Sequence, residues 1–108
     1  MFKVYWCNLS KAIGVPEAGK RPVVVVGTEG NKVYAYPITS RNRNDMYHAR
    51  MNPYMVRGYC DVGNLYTFDK KHMVGFVRSC TLDEERNIKH AIKVVDNYNR
   101  THKKFEKI

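Results

Sequence analysis

The chain has 108 residues, which provides one hydrophobic core and excludes a second domain of ordinary size. Nineteen Lys and Arg against ten Asp and Glu give a net charge of +9, which attracts polyanions and favours nucleic acid over small acidic ligands. The three cysteines lack metal-ligand spacing, so we expect reduced thiols, no disulfide framework and no zinc site. The N-terminal residues form neither a signal peptide nor a membrane-spanning run, so we predict a cytoplasmic protein without membrane contact.

Three strands are predicted in the first third of the chain. Residues 3–9 are rich in β-formers and predict the first strand. After a glycine-flanked loop at residues 14–22, Pro22 opens a run of four valines that is typical of a strand buried on both faces. Gly30 and Asn31 supply turn chemistry before the alternating residues 32–38, so the second and third strands are predicted to form a hairpin.

The strongest candidate for a ligand site lies at the ends of this hairpin. Lys20 and Arg21 stand at the start of the valine strand, and Thr39 and Ser40 end the strand that follows. A guanidinium grips two phosphate oxygens at once, and hydroxyls donate hydrogen bonds to the same kind of anion. The pattern therefore predicts a phosphate-binding site.

The middle of the chain predicts short strands separated by turns. A polar stretch at residues 41–45 has no buried periodicity and predicts an exposed loop. β-like segments then follow at residues 46–51, 55–60, 63–68 and 73–79. Closely spaced short strands indicate a small barrel, built here from residues 3–79.

One helix is predicted near the C-terminus, at residues 81–97. Thr81 and Glu84 have the spacing of a capping box, in which each side chain bonds the other residue's backbone amide. Ile88, Ile92 and Val95 fall on one helical face, which predicts a helix that packs against the barrel. A basic tail follows at residues 98–108, and we expect residues 101–108, which include few apolar side chains, to fray.

These features together resemble the MazF/PemK/Kid family of toxin endoribonucleases from toxin–antitoxin pairs. The resemblance rests on the order of the elements and on Val4-Tyr5-Trp6, the loop with Arg21-Pro22, the valine strand, Pro37-Ile38-Thr39-Ser40 and Tyr66-Thr67-Phe68-Asp69-Lys70. It implies a single SH3-like β-barrel domain with a C-terminal α-helix, and a homodimer that pairs with a cognate acidic antitoxin. It also implies cleavage of single-stranded RNA at short sequence motifs by the RNA's own 2′-hydroxyl, with neither a metal nor a cofactor.

The resemblance implies roles for several residues. Arg21 would stabilise the phosphorane as a fixed charge, with Thr39 and Ser40 as neutral donors to the same oxygens. The residues expected to contact the nucleic acid are Lys20, Glu17, Arg41, Arg43, Arg57 and Tyr66.

The sequence departs from the family where protons are usually transferred. Members often carry His or Glu just after the first glycine of the loop, where this chain has Val15, and an acidic residue where it has Gly63. Asp61 would replace that acid if the strand contained a bulge at Gly63. His48 is the other candidate proton carrier, because the ordinary pKa of histidine lies near neutrality.

Plainer interpretations of the same residues stay open at this point. The arginines at positions 21, 41, 43 and 57 are also explained as solvated cations, and His48 as an ordinary exposed or hydrogen-bonded histidine. Thr39 and Ser40 are also common residues at strand ends. Glu17 either contacts RNA bases or pairs with Lys20. The alternative function is a non-catalytic SH3-like barrel that binds nucleic acid or a protein partner through the same basic face.

Overall fold

A computed structural model describes residues 1–9, 19–40 and 45–106, with side chains as far as Thr101. The strands are β1 (Lys3–Asn8), β2 (Lys20–Glu29), β3 (Lys32–Thr39), β4 (His48–Arg50), β5 (Tyr59–Asp61), β6 (Tyr66–Asp69) and β7 (Met73–Ser79). The 3-10 turn Lys70–His72 joins β6 to β7, and the helix α1 (Leu82–Glu106) follows.

The predicted hairpin is confirmed as β2 and β3. Glu29 pairs with Lys32 across the turn, and Gly30 has a φ of +59°, a left-handed conformation that glycine adopts without strain. β1 pairs antiparallel with the opposite edge of β2. Val23 and Val24 are fully buried on opposite faces of the sheet, as expected for a strand covered on both sides.

The strands form a mainly antiparallel sheet in the order β4-β5-β3-β2-β1-β7, with β6 also paired to β3. The predicted β-rich fold with a C-terminal helix is confirmed, but the hydrogen-bonded path of the described strands does not close into a barrel. β3 pairs along one edge with β6 and then with β5, so the sheet branches there. Among the described strands, β4 and β7 are the two ends of the main path, and β6 is likewise paired on one side only.

The short strands of the middle region differ in extent from their predicted ranges. β7 coincides with the predicted strand at residues 73–79, whereas β4, β5 and β6 are shorter than predicted. Hydrogen bonds of turns occupy some of the missing positions, for example from the Tyr47 amide to the Asp45 side chain and from the Gly63 amide to the Asp61 side chain. Apolar composition alone did not reveal these local turn bonds.

The helix begins as predicted and ends later than predicted. The Glu84 amide donates to Thr81 Oγ1 at 3.1 Å, and the Thr81 amide donates to Glu84 Oε1 at 2.8 Å, which confirms the capping box. Ile88 and Val95 are buried, and Ile92 packs partly against the same core. The predicted end at residue 97 is wrong, because α1 continues to Glu106. Residues 97–106 contain neither Gly nor Pro, so nothing in the backbone stops the helix where the apolar stripe ends.

Each face of the sheet carries its own hydrophobic core. On one face, Val24 and Cys60 pack in the same cluster as Ile88 of α1. On the other face, Val23 and Ala35 belong to a cluster to which the described part of α1 contributes nothing. Successive side chains of a strand alternate between faces, so the residues at odd-numbered positions of β3 continue on this second face towards its end.

Candidate active site and nucleic-acid interface

The ends of β2 and β3 bring Arg21 and Thr39 together. Val23 of β2 pairs with Pro37 of β3. Arg21 lies two residues before Val23 and Thr39 two residues after Pro37, so in this antiparallel pair both lie at the same end and on the same face. Arg21 is exposed and Thr39 is half-buried. This juxtaposition is the one that the predicted phosphate site requires.

β5 and β4 extend this face away from β3. Tyr59 of β5 pairs with Thr39 on one side and with Arg50 of β4 on the other. Directly opposite residues of neighbouring antiparallel strands share a face, with Cβ atoms about 5 Å apart. Arg21, Thr39, Tyr59 and Arg50 therefore form a line across four strands, which we call the Thr39 row.

Sequence analysis missed Tyr59 and Arg50 as members of the site. Each stands in a three-residue strand whose central residue, Cys60 or Ala49, is buried. This polar–apolar alternation was the available signal, since it places the flanking residues on the face opposite the buried one. The pairing register that joins them to Thr39 is a long-range property and had no local sequence signal.

His48 lies next to the Thr39 row on the same face. It pairs with Asp61 across β4 and β5, two residues from Arg50 along its own strand. Its Nδ1 lies 2.6 Å from Oδ1 of Asp45, and the histidine side chain is only 9% exposed. The same Asp45 oxygen accepts a hydrogen bond from the Tyr47 amide at 2.9 Å. A carboxylate on Nδ1 fixes the ring orientation, so Nε2 is the ring nitrogen that this contact does not use.

Asp61 accepts hydrogen bonds within the turn that follows β5. One carboxylate oxygen accepts from the Gly63 amide at 3.0 Å, and the other accepts from the Asn64 side-chain amide at 2.7 Å. The predicted bulge at Gly63 is wrong, because residues 62–63 form a turn and β6 begins only at Tyr66. The register nevertheless places Asp61 opposite His48, beside the row that it was expected to join.

The other predicted site residues fall into three groups. Lys20 is exposed at the start of β2, and Tyr66 pairs with Ala35 of β3, farther along the same face. Ser40 and Arg57 line a cavity beside the Thr39 row. The predicted contacts that lie outside the described residues are Glu17, Arg41 and Arg43.

The cavity has a volume of about 490 Å³ and opens at the ends of β3, β4 and β5. Its lining includes Ser40, Arg50, Met51, Arg57, Gly58 and Tyr59. Gly58 has a φ of +137°, and a Cβ at this position would overlap the carbonyl oxygen of Thr39. Only glycine therefore permits the backbone of residues 51–58, which we call the 51–58 loop, to approach Thr39 this closely.

A buried ion pair anchors the 51–58 loop from behind. The Arg78 guanidinium donates to both carboxylate oxygens of Glu84, at 2.6 and 2.8 Å, and both side chains are at most 10% exposed. Arg78 also donates to the carbonyls of Asn52 and Tyr54, and Glu84 accepts from the Asn52 amide. Burial alone raises the pKa of Glu84, but the hydrogen bonds from Arg78, Thr81 and Asn52 outweigh it and lower the pKa to about 2.

The three thiols are buried and stay protonated at neutral pH. Desolvation raises the pKa of Cys7 to about 12. It also raises the pKa of Cys80 to about 11, and carboxylates near Cys80 add to this effect of burial. Burial also raises the pKa of the Cys60 thiol. Thiolate is the nucleophilic form, so these cysteines are core residues and not candidates for nucleophilic chemistry.

Within the part of the chain that the structure describes, no three His, Cys, Asp or Glu side chains cluster as metal ligands would.

The described portion of α1, although long, is too polar to cross a membrane, and no other described helix does so.

Comparison with solved structures supports this fold. An endoribonuclease in complex with its cognate antitoxin, from a mycobacterial species, matches with a TM-score of 0.72 and 21% identity, covering 85% of this chain and 88% of that one. MazF from Deinococcus radiodurans matches with a TM-score of 0.74 and 16% identity, covering 88% and 93%. The MazE–MazF complex of the same organism matches with a TM-score of 0.70 and 15% identity, and the match covers 86% of this chain and 89% of that one. At these identities the matches show the fold.

The sequence comparison gives the family. A search of curated proteins found no match. Residues 1–96 match the family described as the PemK-like, MazF-like toxin of type II toxin–antitoxin systems. This match covers most of the chain, including β1 to β7 and the packed part of α1. The chain therefore belongs to the PemK-like, MazF-like family of toxins of type II toxin–antitoxin systems.

Proposed function

We propose that this protein is a toxin endoribonuclease that cleaves single-stranded RNA at specific sequences without a metal ion. The observation that carries the proposal is the meeting of Arg21 and Thr39 at one end and on one face of the sheet. Family membership and the endoribonucleases among the similar structures support the same activity. The net charge of +9 supplies the field that draws a polyanion to this face.

The proposed reaction begins with the 2′-hydroxyl of the RNA, whose oxygen attacks the adjacent phosphorus while the bond to the 5′-oxygen breaks. Arg21 stabilises the charge that develops on the phosphorane oxygens, because its guanidinium is always charged and binds two oxygens at once. Thr39 and Ser40 donate neutral hydrogen bonds to the same group. One base accepts the 2′ proton and one acid returns a proton to the leaving 5′-oxygen.

His48 is the proposed proton carrier, acting through Nε2. Its Nδ1 contact with Asp45 at 2.6 Å supports this role, because it holds the ring in one orientation. Asp61 is less suited to accept a proton than its position suggests, since both its oxygens already accept hydrogen bonds in the turn. We therefore propose that Asp61 supports the site beside His48 and that Asp45 positions the histidine.

We further propose that the active form is a cytoplasmic homodimer that a cognate acidic antitoxin neutralises. β7 is an edge strand, and its exposed Val74 and Phe76 form an apolar edge of the kind that a partner covers. Light scattering of the purified protein tests the dimer, and a monomer under assay conditions would contradict it. Complexes of toxin and antitoxin among the similar structures support the second partner.

The test of the proposed activity is incubation of the purified protein with a long unstructured RNA in EDTA. Discrete cuts are expected from the wild-type protein. Arg21→Ala should reduce the rate by about a hundredfold or more, since removal of one preorganised donor to the transition state costs that much, while RNA binding falls far less. The matched control is Arg86→Ala on α1, which removes an equal charge from a side chain that is 76% exposed.

The same assay separates the leading proposal from its alternative. RNA that is bound but never cut would favour a non-catalytic nucleic-acid-binding protein. Cleavage that disappears only in EDTA would contradict the metal-independent mechanism. His48→Gln should remove one limb of the pH–rate profile, and an unchanged profile would exclude His48 as the proton carrier.

A further inference from the structure

We infer that the cavity beside the Thr39 row is a subsite for one nucleotide that flanks the cleaved linkage. In this subsite Arg50 and Arg57 grip the phosphate of that nucleotide, and the Tyr59 ring packs against its base. The inference rests on the proposed function, since it takes RNA as the substrate, and it adds residues that position the strand without taking part in the chemistry.

The charge of the cavity is unbalanced. Arg50 and Arg57 are both exposed, and neither forms an ion pair with any residue in the described ranges. Among the residues that the structure describes, no acidic side chain lines the cavity. The buried carboxylate of Glu84, behind the 51–58 loop, already has both oxygens bonded to Arg78. Two exposed guanidiniums with no ion-pair partner among the described residues make an anion site whose donors suit a phosphodiester.

The position of the cavity links it to the proposed reaction site. Ser40, which directly follows Thr39, forms part of its wall, and Gly58 brings the 51–58 loop against the Thr39 carbonyl. Arg50 lies two strands from Thr39 on the same face, roughly 10 Å away at ordinary strand spacing. One RNA strand that touches Arg21 and Thr39 therefore passes directly over Tyr59 to Arg50.

The walls of the cavity are held in place before any ligand binds. The Met51 amide donates to the Gly58 carbonyl at 2.9 Å, which closes the base of the loop. Arg78 bonds two carbonyls of the same loop from the opposite side. A preformed wall lowers the ordering cost of binding. The volume of about 490 Å³ lies within the usual range for small-molecule pockets, roughly 300–1,000 Å³, and accommodates a base with its sugar.

An acidic peptide of the antitoxin is the other polyanion that two arginines could bind. We favour RNA because the cavity continues the row that carries the proposed phosphate clamp, and because Tyr59 offers an aromatic face for a base. Base stacking on a tyrosine is tolerant of sequence, so this subsite would add affinity at a flanking position and not define the cleavage motif.

The test compares an Arg50→Ala, Arg57→Ala double variant with an Arg86→Ala, Lys93→Ala double variant. The second pair removes the same charge from exposed positions of α1. Binding of a mixed-sequence 2′-O-methyl RNA oligonucleotide, which lacks the attacking hydroxyl, is measured between 50 and 200 mM salt. Loss of one phosphate contact should weaken binding by roughly tenfold and reduce the salt slope by about 0.7, whereas the control pair should leave the slope unchanged.

Two further readouts distinguish a positioning role from a structural one. In the cleavage assay the double variant should raise KM and keep kcat within about threefold, since the subsite makes no contact with the reacting atoms. Tyr59→Leu should weaken RNA binding without changing the salt slope, because stacking releases no counterion. Circular dichroism melts confirm that the exposed substitutions leave the fold intact.

Binding that matches the control pair in both affinity and slope would overturn the inference. Loss of binding to an acidic antitoxin peptide with RNA binding unchanged would also overturn it and assign the cavity to the antitoxin. A wild-type protein that binds RNA but cuts none would contradict the proposed activity, while the salt slopes would still decide the subsite. A wild-type protein that does not bind the oligonucleotide would contradict both.

Discussion

The 51–58 loop separates two sets of arginines with opposite surroundings. Behind the loop, Arg78 is 10% exposed and donates five hydrogen bonds, to Glu84, Asn52, Tyr54 and Ser79. In front of it, Arg50 and Arg57 are exposed and form no ion pair with a described residue. The side chains are chemically identical, so the two sets differ in whether their N–H groups already donate hydrogen bonds within the described protein.

This difference predicts a structural role for Arg78 and a binding role for Arg50 and Arg57. A guanidinium whose donors are all satisfied inside the protein stabilises the fold and has nothing left for a ligand. Exposed guanidiniums that share a cavity with an aromatic ring have donors left for a ligand, and we propose that a phosphate occupies them. Substitutions behind the loop should therefore change stability, and substitutions in front of it should change binding or rate.

The largest effect is expected behind the loop, from Arg78→Met. This change leaves the Glu84 carboxylate buried without its partner, which should lower the free energy of unfolding by about 3–5 kcal/mol. Urea denaturation measures it. The matched control is Arg86→Met, whose ion pair with Asp83 is exposed and has an N···O distance of 3.6 Å, so it should cost less than about 1 kcal/mol.

A double-mutant cycle sharpens this prediction. Combining Arg78→Met with Glu84→Leu removes both charges, so the double variant should be more stable than the Arg78→Met variant alone. Additive losses would mean that the two residues do not act as a pair and would contradict the interpretation of Arg78 as a structural residue.

The second effect is acid sensitivity from the same pair. The pKa of Glu84 falls from its ordinary value of 4.5 to about 2, and the side chain is only 5% exposed. Because the folded protein has the lower pKa, this contribution is fully present above pH 4.5 and is lost as the pH falls towards 2. At about 1.4 kcal/mol per pH unit, it is on the order of 3 kcal/mol.

Unfolding free energies measured between pH 7 and pH 2.5 test this contribution. As the pH falls below 4.5, the free energy of unfolding should decrease more steeply for the wild-type protein than for the Glu84→Gln variant, which has no charge to lose at this position. Asp83→Asn is the control, since Asp83 is 86% exposed in the same helical turn. If the free energy of unfolding decreases equally with falling pH in the wild-type protein and in Glu84→Gln, the prediction is wrong.

The fold could be predicted further than the site, for physical reasons. The Gly30 turn, the valine strand and the Thr81–Glu84 capping box depend on neighbouring residues, so the sequence contains their signal. The end of α1 was missed because the apolar stripe stops before the helix does. Helix-forming residues continue a helix even where it has nothing to pack against.

The site was only partly visible from the sequence because its members meet through strand register. The presence of Arg21 and Thr39 at two strand ends was readable, and the hairpin brings them together. Arg50 and Tyr59 join them only through the pairing of β4 and β5, which depends on contacts distant in sequence. The role of Asp45 beside His48 likewise depends on a turn that composition did not predict.

The third effect concerns the contact between the loop and the Thr39 row. Gly58→Ala places a Cβ against the Thr39 carbonyl at a φ of +137°, so it should lower the free energy of unfolding by about 1–3 kcal/mol and also slow RNA cleavage. Gly75→Ala in β7 is the control, because a Cβ there meets no atom within 4 Å. Equal stability of the two variants would contradict the close approach.

The smallest effect is expected in front of the loop, from Thr39→Ala. Thr39 supplies one neutral donor beside the charged Arg21, so its loss should lower kcat/KM by about tenfold, less than Arg21→Ala does. The free energy of unfolding should change by less than about 1 kcal/mol, because the side chain is only half-buried. Thr39→Ser retains the hydroxyl and should keep most of the activity. Single-turnover cleavage of an unstructured RNA measures all three variants against the wild-type protein. If Thr39→Ser is as slow as Thr39→Ala, the methyl group and not the hydroxyl matters, and the assignment of Thr39 as a phosphorane donor is wrong.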